Sequence, residues 1–363
     1  MEKIPATVVT GFLGAGKTTL IRNLIANANG RRIALIVNEF GDIGVDGDVL
    51  KACGNDACTE DDIIELANGC ICCTVAEDFI PTMEKILARE ERPDCIVIET
   101  SGLALPQPLV RAFNWPEIKT QVTVDGVVTL VDAAAVADGR FAADEGKLEA
   151  QRAADDNLDH DTPLAELFED QIACADLIVV SKADLVDETA LSEVEATVRE
   201  DARPATRLIR SKSDGLPSDL LLGLSAAAES DNRMSHHEQA HFDAGEGIVE
   251  HEHDHDDFES FAISCGEVGD ANSFVERVAA AMRAHDILRL KGFVAVEGKP
   301  MRLVVQAVGP RVDSYFDRAW SEGEARQSRL VVIGEVGLDI AGIATALGVD
   351  GPADAAGGLA QAS

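Results

Sequence analysis

The chain has 363 residues, 46% of them hydrophobic, with 65 Asp plus Glu against 31 Lys plus Arg and a formal net charge of −34. That length suffices for about two domains with buried cores, and the apolar fraction excludes a disordered chain. No apolar stretch reaches the roughly 18 residues of a membrane-spanning helix, and so negative a chain repels nucleic-acid phosphates and anionic lipid, so neither nucleic acid nor membrane is an expected partner.

Short β-branched runs alternate with helical stretches, first at Ala6 to Thr10 and Ile33 to Asn38 and later at Cys95 to Glu99, Gly126 to Asp132, Leu177 to Ser181 and Arg207 to Ile209. The alternation predicts an α/β fold, a parallel sheet with crossover helices on both faces. The first run leads into Gly11-Phe12-Leu13-Gly14-Ala15-Gly16-Lys17-Thr18 and then a helical pattern from Lys17 to about Ala28. This is G-x-x-x-x-G-K-[ST] between a strand and a helix. Its glycines let backbone N–H groups curl around phosphates, and the helix N-terminus adds its positive dipole. Lys17 is placed for the β- and γ-phosphates and the Thr18 hydroxyl for Mg²⁺. A chance glycine-rich turn is set aside because both flanks are present.

After the second run, Asn38-Glu39-Phe40-Gly41-Asp42-Ile43-Gly44-Val45-Asp46 is a glycine-bearing loop with three carboxylates. It reads as a switch that senses γ-phosphate and Mg²⁺ through Glu39 or Asp42, and equally as an ordinary acidic loop. Further on, Cys70-Ile71-Cys72-Cys73 follows the turn signal Asn68-Gly69 and precedes a helical pattern from Val75 to Ala88. The thiols of Cys70, Cys72 and Cys73 would converge near a helix N-terminus, which lowers thiol pKa, and thiolates select Co²⁺ or Zn²⁺ over Mg²⁺ or Ca²⁺. Buried structural cysteines, a redox pair, or a structural zinc or iron–sulfur site that also takes Cys53 and Cys58 are the competing readings. Eight cysteines arranged this way suit a reducing cytoplasm. The start of the chain, from Ile4 to Leu13, lacks the basic region and cleavage site of an export signal, so a cytoplasmic location is expected.

The run Cys95 to Glu99 continues as Thr100-Ser101-Gly102 and sets a carboxylate, Glu99, at the strand end beside the phosphate loop, where it would hold Mg²⁺ through water. After Leu177 to Val180 come Ser181-Lys182-Ala183-Asp184. Asp184 accepts from the N1–H and exocyclic amine of guanine, whereas adenine presents an acceptor at N1, so GTP is the expected nucleotide. Ser181 stands where a guanine-reading tetrad usually carries Asn, a loss of one hydrogen bond worth about 0.5–1.5 kcal/mol. A β–α turn with an Asp helix cap is the competing reading.

Composition divides the chain further. Residues 138–170 hold eleven acids against three bases and read as a solvated, partly helical insertion. Ser235 to Asp257 carries six of the eight histidines among eight acids, with no Lys or Arg. The expected organisation is a nucleotide-binding domain over 1–215, an acidic His-rich linker over 216–257, a smaller α+β domain over 258–347 and a disordered tail over 348–363.

Gly11 to Thr19, Asn38 to Gly41, Gly69 to Cys73, Glu99 to Gly102 and the Lys182/Asp184 pair, with Leu290-Lys291-Gly292 and Arg302-Leu303 beyond the linker, resemble the CobW family of GTP-dependent metallochaperones. The likeness covers nearly the whole chain and is strongest to the family's cobalamin-biosynthesis branch. It implies a P-loop NTPase fold of the SIMIBI type and a site formed by Gly11 through Thr19 with Ser181, Lys182, Ala183 and Asp184. It further implies GTP hydrolysis involving Lys17, Glu99, Glu39 and Asp42, with Mg²⁺ on Thr18 and Glu99. The cargo would be Co²⁺ on Cys70, Cys72 and Cys73, handed to a cobalt chelatase. The competing functions are a zinc chaperone GTPase and a non-enzymatic metal buffer. No oligomeric state follows from the sequence.

Overall fold

The computed structural model of the chain describes residues 3–28, 30–37, 63–65, 79–154, 163–211, 216–222, 258–320 and 325–349. These fall into two compact units, residues 3–222 and residues 258–349.

The first unit is built on seven strands, β1 (Ile4–Gly11), β2 (Ile33–Val37), β3 (Ile63–Glu65), β4 (Cys95–Glu99), β5 (Val122–Asp132), β6 (Leu177–Ser181) and β7 (Arg207–Arg210), in the order β3-β2-β4-β1-β5-β6-β7. Every pairing is parallel. The sequences IALIV, CIVIE and LIVVS of β2, β4 and β6 are buried throughout, the near-continuous apolar run that a strand covered on both faces requires. Its helices are α1 (Lys17–Ala26), α2 (Ile80–Leu87), α3 (Pro106–Ala112), α4 (Pro116–Lys119), α5 (Ala133–Ala137), α6 (Glu145–Ala154), α7 (Leu164–Cys174), α8 (Glu188–Asp201) and α9 (Ser218–Leu221). One core cluster joins Val8, Ile36 and Ile98 to Phe79, Met83 and Phe113. A second joins Phe12, Val131 and Ile178 to Phe168, Ile172 and Leu191. Truncating a fully buried member such as Ile98 to Ala would cost about 2–5 kcal/mol.

The acidic stretch 138–170 is not simply a solvated insertion, because it runs into α7, whose Leu167, Phe168, Gln171 and Ile172 are buried while the acids occupy the other side of the helix. The segment 216–222, expected to open the linker, belongs to the first unit. Leu220, Leu221 and Leu222 are buried, and the Leu221 carbonyl accepts a hydrogen bond from Thr7 Oγ1 at 2.9 Å. The tail was expected from 348, yet Gly348 closes the last helix in the left-handed conformation that glycine tolerates and Val349 is buried in the core. The expected sheet also gains one strand, β3, of only three residues, and β5 starts at Val122 rather than Gly126, with a register shift opposite Ala6 and Thr7.

The second unit is an antiparallel sheet of β8 (Phe258–Cys265), β9 (Ile287–Val294), β10 (Met301–Val308), β11 (Arg311–Ala319) and β12 (Ser328–Glu335), ordered β11-β10-β9-β12-β8. Helices α10 (Ala271–Ala284) and α11 (Ile340–Leu347) place Phe274, Val278, Ile343 and Leu347 against Leu290, Val305 and Leu330. Asp270 caps α10 through the Ser273 N–H, and Asp339 caps α11 through that of Gly342. Strand β11 was not expected from residue pattern; it is a polar edge strand whose residues are mostly half-buried.

Candidate functional site

The phosphate loop lies where open parallel sheets bind ligands, at the carboxyl edge of the central strand β1. Gly16 precedes α1 in the left-handed region, at φ 97°, and no side chain caps the helix. The first-turn N–H groups are thus left for a ligand to satisfy, with the helix dipole behind them. Gly14 also has positive φ, while Ala15 N–H closes a turn on the Phe12 carbonyl at 3.1 Å. The Phe12 side chain does not face a ligand. It is buried against Phe168 and Phe141, at centroid distances of 5.8 and 5.9 Å, and anchors the loop to the core. Leu13 packs on the same cluster. Phe12 and Leu13 therefore offer only their backbone.

Lys17 is almost fully buried, and its ammonium donates to the carbonyls of Gly11 at 2.7 Å and Phe12 at 3.2 Å. Burial pushes its pKa below the ordinary lysine value, opposed by the charge of Glu99. Glu99 ends β4 beside β1 and accepts from Thr18 Oγ1 at 3.2 Å. Burial raises its carboxyl pKa, opposed by Lys17 and by the Thr18 hydrogen bond. A hydroxyl and a carboxylate converging on one point form the hard oxygen donor set that suits Mg²⁺.

The loop after Glu99 is fixed against the phosphate loop. Thr100 N–H donates to Val9 O at 3.0 Å, and its hydroxyl lies 2.9 Å from that of Thr10. A Cβ on Gly102 would sit 2.8 Å from the backbone nitrogen of Leu13, so the two loops touch backbone to backbone and only glycine fits. Behind them, Gln171 on α7 is buried and donates from Nε2 to the carbonyls of Gly102 at 3.1 Å and Ala104 at 3.0 Å.

Beside this centre a cavity of about 330 Å³ is lined by Thr19, Asn23, Ser181, Lys182, Asp184 and Ser211, with Ala15, Gly16 and Leu185 among the others. Ala183, nearly buried, places its N–H 3.4 Å from the Ser211 carbonyl. Ser181 Oγ lies 2.7 Å from Ala15 O and 3.1 Å from Val131 O, so its single proton ties β6 to the phosphate loop. Lys182 is the one non-glycine residue with positive φ among those described, at 56°. Its ammonium meets Asp132 Oδ2 at 2.5 Å, while Asp132 Oδ1 caps α5. That pairing holds Lys182 in a conformation costing of order 1 kcal/mol.

Asn23, Asp132, Gln171 and Ser211 were not singled out in the sequence. Ser211 was accessible to that reading, since it follows the strand after the Ser181–Asp184 tetrad. Glu39, Asp42, Cys70, Cys72 and Cys73, like the histidines of 235–257, lie outside the described residues. Among the described residues no group of three or more His, Cys, Asp or Glu is placed to hold a metal ion, and no helix is long and apolar enough to cross a membrane.

Residues 5–210 match the CobW/HypB/UreG nucleotide-binding domain, and residues 258–349 match the cobalamin synthesis protein cobW C-terminal domain. The chain is 60% identical over 347 residues to a protein named zinc chaperone CobW from a Sinorhizobium species, covering 95% of this chain and 96% of the relative. It is 51% identical over 353 residues to a zinc chaperone CobW of Pseudomonas aeruginosa, with 96% and 91% covered. Zinc chaperone YjiA of Escherichia coli is 29% identical over 342 residues, with 92% and 95% covered. With the nucleotide-binding domain matching residues 5–210, more than half of the chain, and relatives covered almost end to end above half identity, the chain belongs to the CobW/HypB/UreG family.

Proposed function

We propose that the chain is a metallochaperone GTPase, in which GTP binding and hydrolysis govern the holding and release of a divalent cation carried on the thiolates of Cys70, Cys72 and Cys73. The observation that carries the nucleotide half is the convergence of Lys17, Thr18 and Glu99 at the carboxyl edge of β1 and β4, beside a cavity that Asp184 helps to line. In this reading the backbone of Gly11 to Gly16 cradles the phosphates, and Lys17 leaves its loop carbonyls for the β- and γ-oxygens. Thr18 and Glu99 hold Mg²⁺, which when bound neutralises phosphate charge. Asp184 reads the guanine N1–H and amine, Lys182 walls the pocket, and Ser181 keeps the phosphate loop beside it. Glu39 and Asp42 report the γ-phosphate to the cysteine loop.

The metallochaperone class is supported by family membership and by the names of the relatives. Those names favour Zn²⁺ as cargo, as does the tighter binding of Zn²⁺ than Co²⁺ to thiolate sites in general. Co²⁺ delivery to a cobalt chelatase is the second reading, supported by the match of 258–349 to a cobalamin synthesis domain. The client is then a metalloprotein of the same compartment, for which a reducing cytoplasm fits the free thiols.

The test is titration of Zn²⁺ and Co²⁺ into the Mg-GTP and Mg-GDP forms. Mg-GTP should tighten the cargo by about 1–3 kcal/mol, and the metal must tighten GTP by the same factor. Bound Co²⁺ should show thiolate-to-metal charge-transfer absorption, lost in Cys72→Ser and Cys73→Ser. Equal affinity in both nucleotide forms would replace the chaperone cycle with a passive buffer.

A further inference from the structure

Gln171 is the most buried side-chain amide near the nucleotide site, and the reading above gives it no task. It is 1% exposed, its Nε2 donates to two loop carbonyls, and its Oε1 has no hydrogen-bond partner among the described residues. The assignment of its nitrogen is unambiguous, because both partners are carbonyl oxygens that can only accept.

The two carbonyls belong to the turn that Ala104 N–H closes on Ser101 O at 3.0 Å. That turn follows Glu99 by two residues, and its Gly102 presses on the backbone of Leu13 in the phosphate loop. The same helix reaches the phosphate loop a second time, through the edge-on contact of Phe168 with Phe12 at 5.8 Å. Helix α7 therefore grips both loops, apolar on one and polar on the other, and Thr129 Oγ1 fixes the helix to β5 through the Gln171 carbonyl at 3.1 Å.

We infer that Gln171 is a positioning residue for GTP hydrolysis, holding the turn Ser101–Ala104 so that Glu99 and the Leu13 backbone meet the γ-phosphate in register. The inference rests on the GTPase reading. It assigns to α7, the helix that ends the acidic segment, a grip on triphosphate recognition that diphosphate binding does not need. A turn that shifts by an ångström leaves the diphosphate contacts of the loop and the base cavity in place, yet misplaces groups that act on the terminal phosphate.

The experiment compares Gln171→Met, which keeps the volume and removes both hydrogen bonds, with Gln171→Glu, whose carboxylate would face two carbonyl oxygens. Gln107→Ala serves as control. Gln107, three residues past the turn, bonds from Nε2 to the Asp170 carbonyl at 3.1 Å, on the same stretch of α7 but with neither atom in the turn. Turnover, the affinities for GDP and for a non-hydrolysable GTP analogue, and thermal melting are measured on each full-length protein. Gln171→Met should lower kcat by roughly ten- to a hundredfold and weaken the analogue, with GDP affinity within about twofold of the unsubstituted chain. Gln171→Glu should lose at least as much, and Gln107→Ala should match the unsubstituted chain. Turnover and analogue affinity unchanged in Gln171→Met would overturn the inference. So would a parallel loss of GDP and analogue binding shared with Gln107→Ala, because that is the signature of general packing. Failure of the GTPase reading itself shows up separately, as no turnover in the unsubstituted protein; the ratio of analogue to GDP affinity then still decides the role of Gln171.

Discussion

Thr18 and Glu99 stand 81 residues apart in sequence and are joined by a hydrogen bond of 3.2 Å between hydroxyl and carboxylate. The bond exists because β1 and β4 are neighbouring parallel strands, so the helix that follows one and the residue that ends the other meet at the same edge. Lys17 shares this buried space, and its charge opposes the rise in the Glu99 pKa.

Lys17→Ala should abolish GTP hydrolysis and weaken triphosphate binding. In the proposed site the ammonium, held here on the Gly11 and Phe12 carbonyls, would turn to the β- and γ-phosphates, and its removal leaves the strand and helix on either side intact. Steady-state phosphate release by the purified variant, with circular dichroism to confirm folding, checks this. Turnover near that of the unsubstituted chain would remove the loop from the active centre.

Gly102→Ala places a Cβ 2.8 Å from Leu13 N, among backbone atoms that have no side-chain freedom to yield. One loop must move. Overpacking of this kind typically costs about 1–3 kcal/mol of stability, and triphosphate affinity should fall with it because Leu13 lies in the phosphate cradle. Gly266→Ala, where nothing lies within 4 Å, is the matched control and should melt as the unsubstituted chain does. Equal melting temperatures and equal nucleotide affinity for the two variants would contradict the contact.

Asp184→Asn should shift preference from GTP towards xanthosine triphosphate, since an amide donates to the xanthine oxygen where a carboxylate can only accept. Competition binding measures the ratio. The change is expected to reach about tenfold or more, the worth of roughly one charge-assisted hydrogen bond. An unaltered ratio would take Asp184 out of the base pocket.

Glu99 also makes a pH dependence. Burial holds its folded pKa above the ordinary 4.5, so the folded chain keeps this proton more tightly than the unfolded chain does. Stability is therefore lost as pH rises from 4.5 through the folded value. Lys17 acts in the opposite sense at the alkaline end: its lowered pKa means that stability is regained as pH climbs from the folded value towards 10.5. In melting experiments without nucleotide or divalent cation, Glu99→Gln should flatten the fall in melting temperature as pH rises above 4.5. A steeper fall in the variant would mean that the carboxylate is stabilised, not penalised, by its surroundings.

The α/β class and the presence of a phosphate loop are legible in residue pattern alone. A phosphate loop is local, because the strand, the glycines and the helix that hold the phosphates are contiguous from Ile4 to Ala26, and strands such as Cys95–Glu99 announce themselves by unbroken apolar runs. Strand order, by contrast, sets which distant residues pack around that loop. Gln171 comes directly after the acid-rich stretch 138–170 that composition assigns to solvent, and its burial appears only when α7 lies against Phe12 and the turn at Gly102. Asp132 reads as the last residue of a strand until β6 brings Lys182 to it. Strand β11 has no apolar signature and exists because the edge of β10 offers it a ladder of hydrogen bonds. Pattern and motif record what neighbouring residues do for one another, whereas hydrogen bonds across 50 to 81 positions depend on strand order, which periodicity does not encode.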